Sequence, residues 1–153
     1  VRLGLEEYIS STYLSKDVDE AYNALKIELS ELDADYRVAV ESTNNDTIIV
    51  ADSALKYLEK FGLNVICIDS DASDKTLSLA EKAIMNKSVS YIMLFKNEKV
   101  NDNAQKLLDT YSDVQKLELH RLDNITTSER SNGETYVSIM RNNLDLIKKE
   151  LYQ

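Results

Sequence analysis

The stretch Thr47–Asp69, TIIVADSALKYLEKFGLNVICID, decides the fold. Its opening TIIVA is short, apolar and β-branched, the composition of a buried strand. Asp52 and Ser53 interrupt the run, and a helix follows to about Phe61. Gly62 closes that helix at the C′ position, where a left-handed residue ends a helix without penalty. NVICID is a second strand. Strand, helix and strand in so few residues make a βαβ unit with parallel strands. Asp52 then stands at the mouth of a parallel sheet, where a helix cap and a ligand site would each explain a carboxylate.

The same alternation continues outward. SDASD is a loop with capping chemistry, Lys75 to Met85 a helix, and SYIMLF a third strand. NEKVNDN is a loop, Ala104 to Tyr111 a helix, and QKLELHRL a fourth strand whose alternation predicts an edge or a less buried position. DNITTSERSNG is a polar loop. Glu134 to Leu151 repeats Tyr136, Ile139, Met140, Leu144, Ile147 and Leu151, the stripe of a closing amphipathic helix. On the amino-terminal side, Val18, Ala21, Leu25, Leu29, Leu32, Tyr36 and Ala39 mark a long helix from Asp17 to about Val40. A shorter helix, Glu6 to Leu14, is expected before it, with SKD as the break. The fold class is α/β: a mostly parallel four-stranded sheet flanked by helices, in a single domain over residues 1–153. Such sheets take ligands beyond the carboxyl ends of their strands.

Composition narrows the function. The 153 residues carry a formal net charge of −9, which argues against nucleic acid, whose binding depends on basic patches. No apolar run approaches the roughly 20 residues of a membrane span, and VRLGLEEYIS does not read as a signal peptide. With three glycines and no proline, neither a dinucleotide fingerprint nor a P-loop can be written. The single cysteine, Cys67, has no partner for an internal disulfide or a cysteine-rich zinc site, and reads as a small core hydrophobe.

Asp52, Asp69 with Asp71, Lys96 and His120 fall at or near the ends of the four strands. Asp69 and Asp71 read as turn chemistry, and Lys96 as a solvated strand end. His120, the only histidine, lies between apolar Leu119 and Leu122 and reads as either structural or a ligand. No nucleophile–base pair can be assembled, so the chain is not expected to be an enzyme. Asp52 and His120 supply two metal ligands, where a catalytic zinc site takes three from protein and a structural site four.

The segments ADSALKYLEKFGLNVICI, SYIMLF and ETYVSIMRNNLDLIKKEL resemble the C-terminal lobe of the zinc- and manganese-binding solute-binding proteins of bacterial ABC transporters, also described as adhesion lipoproteins. The closing helix carries the resemblance furthest: Tyr136, Met140, Asn143, Leu144 and Asp145 fit the aromatic and Asn-Leu-Asp pattern with which the family often ends. Asp52-Ser53-Ala54-Leu55-Lys56-Tyr57, followed by Phe61-Gly62-Leu63, is similar to the family's ligand motif with one residue fewer. LSELDADYRVAV resembles the long helix that joins the two lobes.

The resemblance implies a metal held between two lobes by four side chains. Two would be histidines of an N-terminal lobe outside this chain. The third position, usually His or Glu, matches Asp52, and the fourth, usually Asp, matches His120. Lys96 departs from the acidic residue often found near it. The ligand implied is Zn²⁺ or Mn²⁺ as transported cargo, bound weakly or not at all by this lobe alone. The partners implied are the missing N-terminal lobe and a membrane permease, and the location extracytoplasmic, either lipid-anchored at the cell surface or periplasmic. Two other readings compete. NVICIDSDASD has the acidic strand end of a receiver-like signalling domain, and a structural or adhesive surface module could keep the fold without the metal.

Overall fold

A computed structural model describes residues 12–43 and 45–152, with side chains from Lys16 onward. The chain divides into two compact units between Asp35 and Tyr36. Of the described residues, the first unit contains the amino-terminal part of helix α1 (Thr12–Glu41). The expected break at SKD is absent, because the helix runs straight through it. None of the three residues is a strong helix breaker, and Lys16 pairs with Glu20 one turn on, at 3.7 Å. The rest of the expected shorter helix, from Glu6, lies outside the described residues. Along the α1 stripe Leu25 and Leu29 are exposed, whereas Leu32, Tyr36 and Ala39 are buried.

The second unit holds the α/β fold. Strands β1 (Thr47–Val50), β2 (Asn64–Cys67), β3 (Tyr91–Phe95) and β4 (Gln115–Leu119) form one sheet in the order β2-β1-β3-β4. Every pairing is parallel, with Val50 opposite Cys67, Ile49 opposite Ile92, and Met93 opposite Leu117. β4 is an edge, and its side chains alternate between exposed and buried toward its end, as its sequence requires. Helices α2 (Asp74–Met85) and α3 (Asp102–Thr110) cover one face, where Ile49, Ala51, Ile92 and Leu94 meet Ala80, Ile84, Ala104 and Leu107. Ile48, Val50, Met93 and Phe95 alternate to the other face. Helix α5 (Tyr136–Leu151) contacts β4 and buries Val137, Met140, Leu144 and Ile147. The polar loop before it contains an unexpected short helix, α4 (Thr127–Ser131). Cys67 is buried, as its apolar strand predicts.

Ser53–Phe61 is a 3₁₀ helix. Leu55, Leu58 and Phe61 are spaced by three, which suits three residues per turn, and both leucines are fully buried. Asp52 caps its start and Gly62, at φ +100°, closes it with its N–H on the Glu59 carbonyl. Tyr36 stacks on Phe61 with ring centroids 4.9 Å apart and donates its hydroxyl to the Met140 carbonyl at 3.0 Å. Burial, followed by the neighbouring Tyr57 hydroxyl, pushes the Tyr36 phenol far above its usual range.

Two polar side chains lie on the buried stripe of α5. Glu150 is wholly inaccessible and accepts the Tyr91 N–H at 2.7 Å and the Ser90 N–H at 3.2 Å. It ties the carboxyl end of α5 to the start of β3. Asn143, seven residues earlier, does the corresponding work at the far end of β4.

Candidate functional site

The rim beyond the strand ends is built from local hydrogen bonding. Asp52 follows β1 by two residues. Its Oδ1 accepts the Ala54 N–H at 2.7 Å, which satisfies an orphan donor of the 3₁₀ helix. The cap and the rim position are therefore one and the same, and Oδ2 stays outside the cap, 3.5 Å from Arg121 Nη1. Asp69 and Asp71 form the turn expected of them: Asp69 Oδ1 accepts the Asp71 N–H at 3.2 Å. Asn101, the N-cap of α3, and Asn103 in its first turn tie down rim carbonyls. Asn101 donates to Ala51 and Asn103 to Asp69, each at 2.7 Å. Lys96 is exposed.

His120 directly follows β4. The Asn143 amide accepts its backbone N–H at 2.8 Å and donates to its carbonyl at 2.9 Å. The side chain thus acts as one more strand neighbour and extends the ladder past Leu119. The ring is held at both nitrogens. Nδ1 accepts the Leu122 N–H at 2.9 Å, and Nε2 lies 3.2 Å from Glu129 Oε1. An Nδ1 that accepts carries no proton, so the ring is the neutral tautomer with its hydrogen on Nε2, directed at Glu129. Leu122 has φ +66°, a left-handed conformation that costs a branched residue energy and is held here by that contact. Glu129 is fixed in turn by the capping box of α4: it accepts the Thr126 N–H at 2.8 Å and the Thr126 hydroxyl at 2.7 Å. Those two bonds, chiefly, hold its carboxyl below the usual glutamate range, with His120 adding to them.

Asp52 and His120 follow the carboxyl ends of β1 and β4, which are separated by β3, and Arg121, next to His120 in sequence, reaches Asp52. Arg121 Nη1 lies 3.5 Å from Asp52 Oδ2 and 2.5 Å from Glu98 Oε1, and its guanidinium stands over the Phe95 ring at 5.0 Å. Asp52 lines one cavity with Asp69, Glu98 and Asn101, and His120 lines another with Ala54, Tyr57, Tyr136 and Met140; Phe95 borders both. Among the described residues no three His, Cys, Asp or Glu side chains converge as a metal cluster. Asn143, Glu129 and Arg121 were not singled out as site residues by sequence. Asn143 had a signal, a polar residue on an apolar stripe, and Glu129 had one in the T-x-x-E capping pattern. Arg121 had none beyond standing next to His120.

This parallel sheet, with a carboxylate and an imidazole at its rim, has close counterparts. Residues 14–150 match the family described as zinc-uptake complex component A, periplasmic. The chain belongs to this zinc-uptake family. It is 26% identical over 152 residues to the zinc-binding protein AdcA of Streptococcus pyogenes serotype M3, a match covering 94% of this chain and 29% of that protein. It is 27% identical over 132 residues to the high-affinity zinc uptake system protein ZnuA of Bacillus subtilis, covering 81% of this chain and 40% of that protein. The Zn(II)-bound ZnuA-like domain of Streptococcus pneumoniae AdcA superposes with a TM-score of 0.70 at 20% identity, over 99% of this chain and 58% of that one. The family member thus spans less than half the length of either sequence relative. The relatives are described as zinc-binding and zinc-uptake proteins, not as enzymes. Membership of this family counts against a receiver-like domain. Among the described residues no helix is long and apolar enough to cross a membrane.

Proposed function

We propose that this chain is the C-terminal lobe of an extracytoplasmic zinc receptor that delivers its ion to an ABC permease, with Asp52 and His120 as its half of the metal shell. The observation that carries this reading is their place at the carboxyl ends of two parallel strands: a carboxylate with one oxygen in the helix cap, and a histidine whose backbone is held by Asn143 and whose ring is backed by Glu129. Zn²⁺ accepts both donor types, and the N/O set favours it over Mn²⁺ in affinity. His120 supports the reading in a specific way. With Nε2–H kept on Glu129, the metal takes Nδ1 once the Leu122 hydrogen bond opens, which gives the carboxylate–histidine–metal relay common at zinc sites. The remaining ligands come from a second lobe, so capture is closure of two lobes over the ion and release is their separation. The family's periplasmic description and its uptake-system members support the location and the permease partner.

Calorimetric titration of the chain with zinc and with manganese tests the assignment. Weak zinc binding is expected, weaker still for manganese, and lost in both Asp52→Asn and His120→Ala. Tight zinc binding that survives both substitutions would sink the reading.

A further inference from the structure

We propose that Arg121 is a tethered cation which occupies the Asp52 carboxylate in the metal-free state and competes with the incoming metal for it. This rests on Asp52 being a metal ligand, as proposed above, and adds a device that sets the affinity. Asp52 Oδ1 is committed to the helix cap, so Oδ2 is the oxygen left for a metal. Arg121 Nη1 lies against that oxygen at 3.5 Å. The guanidinium is no passing side chain, because it has its own berth. Glu98 takes the same nitrogen at 2.5 Å, and the Phe95 ring lies beneath it at 5.0 Å. Asp123 adds a further negative charge in its vicinity. The arrangement has two consequences. A positive charge beside Oδ2 repels a divalent ion, and the ion must break the Asp52 contact to bind. Glu98 and Phe95 can keep the displaced arginine, so the exchange does not leave a loose charge. The rim therefore has two states, with Asp52 on Arg121 or Asp52 on metal, and Arg121 lowers the affinity by the difference between them. A receptor that must hand its ion on gains from such a competitor, since Arg121 retakes Asp52 as the metal leaves.

The test is zinc titration of the full chain as wild type, Arg121→Gln, Asp52→Asn and the double variant, each checked for an unchanged melting temperature. Arg121→Gln should tighten zinc binding about tenfold at low salt, the size expected for removing one charge a few ångströms from a divalent ion in a largely aqueous setting. The double variant should lose that gain. In wild type the Arg121 Nε–H resonance should move when zinc is added. If Asp52→Asn weakens zinc while Arg121→Gln leaves it unchanged or weaker, the competition is wrong and the metal site stands. If neither substitution changes zinc binding, or none of the four proteins binds zinc, the metal reading falls and the competition with it.

Discussion

The two ends of the sheet treat their polar groups in opposite ways. At the foot, Glu150 is fully buried and accepts the backbone N–H groups that open β3. At the rim, Asp52, Glu98, Arg121, His120 and Glu129 are all partly exposed, and Asp52, Arg121 and His120 each have more than one partner. A buried carboxylate with fixed donors is costly to disturb. Half-exposed ion pairs are worth little each and exchange partners cheaply. The foot thus fixes how α5 sits on the sheet, and the rim keeps the freedom a ligand site needs. Asn143 belongs to both regimes: it is buried like Glu150, yet what it holds is the backbone of a rim residue.

The strongest way to break the comparison is at the foot. Glu150→Ala should cost about 3 kcal/mol or more, since it strands buried backbone donors. Chemical denaturation measures this, and zinc affinity of the folded protein should not change. A mild effect at Glu150 would mean that the foot is no more rigid than the rim. Asn143→Ala should cost about 1–3 kcal/mol for the two backbone groups of His120 that it releases. Unlike Glu150→Ala, it should also shift the His120 ring resonances and weaken zinc binding. A loss of stability with the His120 signals unmoved would confine Asn143 to a structural role.

The foot and the rim also differed in how far sequence could reach them. The strand runs and the α5 stripe were legible because burial repeats with a period, and β4's alternation pointed to an edge or a less buried position. Asp52 and His120 were legible as rim residues because strand ends are. The partners of His120 were harder. Glu129 sits in a segment with no apolar stripe, where only a capping pattern hints at a helix of five residues. Arg121 reaches Asp52 across some seventy residues of chain, and no local pattern encodes such a meeting. The SKD break failed for another reason. Cap residues start a helix only where the chain before them is not already helical, and here it is.

One layer beneath the rim, Tyr36 sharpens the contrast by pH. Its phenol is raised in the folded state, mainly by burial. The unfolded chain therefore releases this proton first as pH rises past about 10. The stability contributed is complete below that value and falls progressively above it. Denaturation between pH 8 and 11.5, roughly the span that brackets an ordinary tyrosine, should show the decline. Tyr36→Phe should flatten it, at a cost near neutral pH of about 1 kcal/mol for the lost bond to Met140. Tyr57, also raised mainly by burial, should leave a residual slope. An unchanged slope in Tyr36→Phe would place the alkaline sensitivity elsewhere.

The smallest stability effect is expected where the functional effect is largest. Asp52 has two duties, capping through Oδ1 and facing Arg121 through Oδ2. Asparagine caps as well as aspartate, so Asp52→Asn should keep the cap and lose only an exposed ion pair, a change within about 0.5 kcal/mol. Asp52→Ala loses the cap too and should cost about 1 kcal/mol. Both should abolish the carboxylate's share of zinc binding. The pair of variants separates the two duties, because the cap follows the hydrogen-bond acceptor and the ligand follows the charge. Equal stability losses with unaltered zinc binding would make Asp52 a cap alone, and the rim would then be as purely structural as the foot.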